Sequence, residues 1–329
     1  MSCMENFQYL IDKIQNSKII ESPYSHIYIE NFFDEEDFSK IINSHGVNTR
    51  NYKNNDELFE SLFSLGYKTI DFPGCINNVN DYNAWHSKKQ TSKKLHSACE
   101  GFGMTLRLME PNSPILKNLK IFIESKDFKN ALASKFNIDA DSVYSDNGLQ
   151  KYLDGYEISP HPDIRKKALT YMININPHSD SEDLDHHTHY LQLKKEYKYI
   201  QEFWKSNFQY DRCWIPWDWA ETVFVQSKNN SLVMFSPTNE TIHAVKASYN
   251  HLLSQRTQLY GNLWFNKFPD TKELNWEDMV ISSSPHLNQN NSLNSIIKKV
   301  PLKIKNFVKR FYNSNDKENY SSVRNYKKK

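Results

Sequence analysis

The sequence predicts a mainly β fold with flanking helices, on three observations. Short strand-like runs separated by turns crowd the chain from residue 149 onward, and helical apolar spacing is concentrated before it. The 19 Phe, 19 Tyr and 7 Trp among 329 residues supply core volume in large pieces; each such side chain buries about 150–250 Å². Many short strands broken by turns point to a sandwich or barrel.

The N-terminal third, residues 1–148, reads as helices supporting a sheet. Pro23-Tyr24-Ser25-His26-Ile27-Tyr28-Ile29 alternates like a strand, and Asp34-Glu35-Glu36-Asp37 then leads into Phe38–Ile42. Acidic residues in a first turn suit the helix dipole. Gly103–Leu108 is a second strand candidate, and after Pro111 and Pro114 comes helical spacing at Leu116, Leu119, Ile123, Phe128, Leu132 and Phe136.

From residue 149 the period changes. Leu149–Ile158 reads as one strand. Ala168–Asn176 reads as a stronger one, with Leu169, Tyr171, Ile173 and Ile175 on one face. Ser231–Phe235, Thr241–Val245 and Arg256–Phe265 complete the set. Residues 177–222 read as an insertion at the rim, first polar and His-rich, then aromatic; long inserts in compact domains tend to be lids or binding loops. Within it His186, His187 and His189 read as a solvated loop rather than a zinc site, since ligand pairs without Cys on a polar stretch seldom make one. Trp214, Trp217 and Trp219 read as packing.

Residues 282–294 are Ser- and Asn-rich, a linker that closes a single catalytic domain over 1–281. From Asn294 on, eleven Lys and Arg face two acidic residues, leaving 30 basic and 37 acidic residues in the body. An acidic body excludes a broad nucleic-acid surface. The tail reads as a solvated appendage, with contact to an anionic membrane through residues 293–312 as the alternative. Cys3, Cys75, Cys99 and Cys213 form no C-x-x-C pair, the opening residues lack a signal-peptide pattern, and no apolar run is long enough to span a bilayer. Together these predict a cytoplasmic protein.

The chemistry concentrates at Pro160-His161-Pro162-Asp163. An imidazole and a carboxylate two apart in an extended segment point the same way, and they are two of the three ligands of the facial triad that holds non-haem Fe(II) with open positions. His178-Ser179-Asp180 has the same spacing but sits in a polar run without strand alternation. The third ligand is sought on another strand that also brings a cation. His243, followed thirteen residues later by Arg256, qualifies if the two strands are antiparallel neighbours joined by Lys246–Gln255.

His161-x-Asp163, distal His243 and downstream Arg256 resemble the Fe(II)- and 2-oxoglutarate-dependent dioxygenases. The Tyr-rich run Tyr152-Leu153-Asp154-Gly155-Tyr156 before H-x-D and the strand Leu169–Asn176 after it resemble the prolyl-hydroxylase-type branch. The resemblance covers residues 149–266 and implies a double-stranded β-helix, a jelly-roll or cupin-like barrel with metal at its mouth. It implies further that His161, Asp163 and His243 ligate Fe(II), and that Arg256, with Lys246 as substitute, pairs with the distal carboxylate of 2-oxoglutarate. Tyr152 and Asn174 would hydrogen-bond that cosubstrate. O₂ would be consumed, succinate and CO₂ released, and an unactivated carbon of a protein residue or small molecule hydroxylated. The alternative is a cupin-like metal- or ligand-binding protein without turnover.

Overall fold

The computed structural model describes residues 7–49, 51–72, 74–88, 98–267 and 277–281. Residues 282–329, including the basic tail and the expected membrane contact, lie outside them. Among the described residues no helix is long and apolar enough to cross a membrane.

The first 135 residues supply α1 (Tyr9–Asn16), β1 (Ile27–Glu30), α2 (Glu35–Ile42), α3 (Asn55–Ser64), β2 (Tyr67–Thr69), α4 (Val79–His86), β3 (Thr105–Leu108), α5 (Pro114–Ile123) and α6 (Lys126–Lys135). The caps are written into the sequence. Asn54 accepts the Glu57 N–H, Asn78 those of Asn80 and Asp81, and Ser125 that of Phe128, each relieving an orphan donor of a first turn. The Ser125 cap divides into two helices the apolar spacing that runs from Leu116 to Phe136 in sequence.

The core strands follow: β4 (Val143–Tyr152), β5 (Glu157–His161), β6 (Lys167–Asn174) and β7 (Thr188–Leu193), then α7 (Tyr199–Ser206) and β8 (Tyr210–Trp214). After these come β9 (Ala220–Gln226), β10 (Ser231–Phe235), β11 (His243–Lys246), β12 (Arg256–Phe265) and β13 (Glu277–Val280). The major sheet runs β1-β10-β6-β12-β4-β3-β2 and the minor sheet β5-β11-β7-β9, while β13 pairs with β8 in parallel. The chain alternates between two antiparallel four-strand units, β4-β12-β6-β10 and β5-β11-β7-β9, which is a double-stranded β-helix.

Period-two alternation divides the major sheet. Leu169, Tyr171, Ile173 and Ile175 face outward into the large cluster with Leu10, Leu62, Leu119, Phe122 and Phe128 from the helices. Met172 faces inward beside Val233, Phe235 and Tyr190. Gly261 makes this packing possible: a Cβ there would fall 2.3 Å from Cζ of Tyr171.

Three expectations change. Leu149–Ile158 is two strands in different sheets, because Asp154-Gly155 turns the chain, with Gly155 at φ 79°. His243 and Arg256 lie on strands in opposite sheets, not on paired neighbours. The 177–222 segment contains β7, a central strand of the minor sheet, and the first residues of β9. The true excursion is 194–219. It covers the outer face of that sheet through Ile200, Trp204, Cys213 and Ile215, packed on Leu191, Leu193, Ile242 and Ala244.

Candidate metal centre

Strand pairing brings the first and last members of the predicted triad together. His161 ends β5, His243 begins β11, and the two stand directly opposite in the antiparallel ladder, with ring centroids 4.5 Å apart. Asp163 follows β5 by two residues and its Oδ2 lies 4.0 Å from Nε2 of His243. The donor atoms of all three lie within 4.8 Å of one another, and all three side chains are buried.

Each imidazole is oriented by the backbone. Nδ1 of His161 bonds the Ser159 carbonyl at 2.8 Å and Nδ1 of His243 the Thr241 carbonyl at 3.0 Å. A carbonyl only accepts, so Nδ1 carries the proton and Nε2 presents its lone pair, the arrangement found behind metal-bound histidines. Burial drives His161 down to about 3, with His243 acting in the same direction. His243 is lowered as well, by burial, against the pull of Asp163. Both rings therefore stay neutral, as ligands must.

The carboxylate is fixed from behind. Its Oδ1 accepts from Lys167 Nζ at 2.6 Å and its Oδ2 from Thr170 Oγ1 at 2.5 Å. Burial raises the Asp163 carboxyl, but the Lys167 ammonium, by its charge and its hydrogen bond, outweighs it and holds the group below the usual carboxylate range. Phe235 closes the wall edge-on to His243 at 5.0 Å, and Trp214 lies 5.0 Å from His161.

From the opposite sheet Arg256 enters the same interior. It is 1% exposed and stacks over Tyr152 at 4.6 Å, and its Nη2 donates to Thr188 Oγ1 at 2.9 Å. Its Nε and Nη1 have no partner. Two dry guanidinium nitrogens are costly unless an acceptor arrives, so the donor set fits a carboxylate. Two neutral imidazoles, one ionised carboxylate and this orphaned cation together fit a divalent metal and an anionic chelator.

The remaining candidates divide. Tyr152 contributes its ring beneath Arg256, while its hydroxyl is taken up by the Gln150 amide at 2.6 Å. The Asn174 amide is committed to the Gln226 and Lys228 carbonyls and to Gln258, which removes it from cosubstrate binding. Lys246 is exposed and no substitute for Arg256. His178 precedes a 3₁₀ turn that contains Asp180, and neither joins a metal-competent cluster among the described residues. His186 and His187 are buried rather than solvated, 0% and 6% exposed. A second group, His86, Asp154 and His251, has its atoms spent on hydrogen bonds: His86 to Asp154 at 2.7 Å, and His251 to Asn55 at 2.8 Å and to the Asp154 N–H at 3.3 Å. Sequence reading missed Thr188, Thr170 and Lys167. The i+4 and i+7 spacing of the latter two from Asp163 carries no signal until β6 folds back beside H-x-D.

No family model and no curated protein matches the chain. Among solved structures, it is similar to a prolyl hydroxylase from Trichoplax adhaerens in complex with a hypoxia inducible factor peptide, at 9% identity and TM-score 0.37, covering 80% of this chain and 90% of that one. A Pseudomonas putida prolyl-4-hydroxylase has 9% identity and TM-score 0.33, over 65% of this chain and 100% of that one. EvdO2 from Micromonospora carbonacea var. aurantiaca, complexed with 2-oxoglutarate, has 12% identity and TM-score 0.29, over 70% and 98%. At these TM-scores the likenesses carry no weight for the reaction.

Proposed function

We propose that the protein is an Fe(II)- and 2-oxoglutarate-dependent oxygenase of the prolyl-hydroxylase-like branch, hydroxylating an unactivated carbon of a protein residue or small molecule. One observation carries the reading: His161, Asp163 and His243 converge with both Nε2 lone pairs free, across the barrel from a buried Arg256 with two unpaired guanidinium nitrogens. Residues 1–281 are assigned to one catalytic domain, acting in the cytoplasm.

His161, Asp163 and His243 would hold the iron as a facial triad, leaving positions for a chelating cosubstrate and O₂. When bound, Fe(II) with 2-oxoglutarate and O₂ supplies an oxidant that takes hydrogen from a C–H bond, with succinate and CO₂ released. The chain's own groups do the rest. The Ser159 and Thr241 carbonyls hold the rings in the ligating tautomer. Lys167 and Thr170 keep Asp163 ionised and aimed inward. Arg256 takes the distal carboxylate bidentately, over the Tyr152 ring. Phe235, Tyr190 and Met172 keep water from the barrel floor.

The test is uncoupled turnover. Purified protein supplied with Fe(II), 2-oxoglutarate and air should form succinate, and His243→Ala should form none. Iron binding without succinate in the unaltered protein would favour the non-catalytic cupin-like reading.

A further inference from the structure

We propose that His186 is a second anchor for the cosubstrate, donating an N–H to the same distal carboxylate that Arg256 takes, so that the cradle is built from Arg256, Thr188 and His186. This rests on the 2-oxoglutarate reading above.

His186 is fully buried and neither ring nitrogen makes a well-formed hydrogen bond, the Ser181 carbonyl drawing on the ring only weakly. A neutral imidazole has one donor and one acceptor, and leaving both without a well-formed bond is among the costlier arrangements a core holds. The ring is placed beside Arg256 by two independent contacts. It packs edge-on to Tyr249 at 4.8 Å, and the Tyr249 hydroxyl accepts the Arg256 backbone N–H at 2.9 Å. Two residues on along the same run, Thr188 accepts from Arg256 Nη2. The Arg256 charge bears directly on the His186 ring. The unpartnered guanidinium nitrogens of Arg256 and the weakly bonded imidazole are thus neighbours.

Burial, reinforced by the Arg256 charge, holds His186 down at about 2. The ring therefore adds a donor without a second positive charge, and the cradle remains matched to a single carboxylate. Donors from two directions also fix where that carboxylate sits, so the site selects a dicarboxylate 2-oxo acid over a monocarboxylate one.

The experiment titrates the Fe(II)-loaded full chain anaerobically with 2-oxoglutarate and separately with pyruvate, which lacks the distal carboxylate, reading binding by calorimetry. His186→Phe should raise the Kd for 2-oxoglutarate on the order of tenfold or more, leaving the Kd for pyruvate and the iron affinity unchanged. His186→Gln, which retains an N–H, should recover most of the loss. A Phe variant that binds 2-oxoglutarate like the unaltered protein, or weakens for both acids equally, overturns the assignment. Should the Phe variant fail to hold iron, His186→Ala carries the same comparison. Failure of the unaltered protein to bind 2-oxoglutarate at all would overturn the functional reading, and this assignment with it.

Discussion

On the proposed reading, Arg256 is the residue on which cosubstrate recognition turns. Its Nε and Nη1 are dry and unpaired, so Arg256→Ala should weaken 2-oxoglutarate binding by roughly 2–5 kcal/mol while iron stays bound. Calorimetry on the iron-loaded variant checks this, and unchanged affinity would move the role elsewhere. Lys151 is a different case, since it faces the helices and not the barrel. Its ammonium is fully buried, donates to the Val47 carbonyl and Thr257 Oγ1, and is pushed by burial from 10.5 down to about 7. Between those values the unfolded chain holds a proton that the folded chain has lost, so this group makes stability rise with pH, by at most about 1.4 kcal/mol per unit. Below about pH 7 both states are protonated and the contribution is at its minimum. Denaturant midpoints at pH 7 and 9 should therefore rise more for the unaltered protein than for Lys151→Met; parallel curves would refute the shift.

At the scale of elements, glycines and turns decide where the strands go. Gly103 has φ +73°, and a Cβ on it would fall 2.6 Å from the Tyr156 backbone nitrogen. Gly103→Ala combines left-handed strain with a backbone clash just before β3, beside the turn that leads into β5. It should cost about 2–4 kcal/mol of unfolding free energy, measured by urea denaturation; a loss below 1 kcal/mol would show that the turn adapts. The same turn explains a limit of sequence reading. Tyr152 and Ile158 lie in one stretch that reads as a single strand, yet Asp154-Gly155, with Gly155 at positive φ, sends them into different sheets. β6 was legible because its outward face is a clean series of large apolar residues. β7 was not: His186–His189 scores as polar, and a register shift between Tyr190 and Leu191 breaks the period-two pattern. That hid the places of Thr188 and His186 near Arg256.

At the scale of the molecule, the convergence of H-x-D with the distal His was readable because His161 and Asp163 lie at or just beyond the end of β5, His243 begins β11, and strand ends meet at a barrel's mouth. Which sheet carries each strand was not readable, since pairing across a long excursion such as 194–219 leaves no local trace. The two-sheet architecture also makes binding a stability term. Metal and cosubstrate would bridge β5 and β11 to β12, so Fe(II) with 2-oxoglutarate should raise the melting temperature together more than iron does alone, as ligands that bind only the folded state must.

The most direct test is the visible absorption of the anaerobic protein with Fe(II) and 2-oxoglutarate. A weak charge-transfer band should appear with the unaltered chain at one iron per molecule, and should vanish in His161→Ala. No band in the unaltered chain, or a band that survives loss of the His161 imidazole, would contradict a centre built from His161, Asp163 and His243.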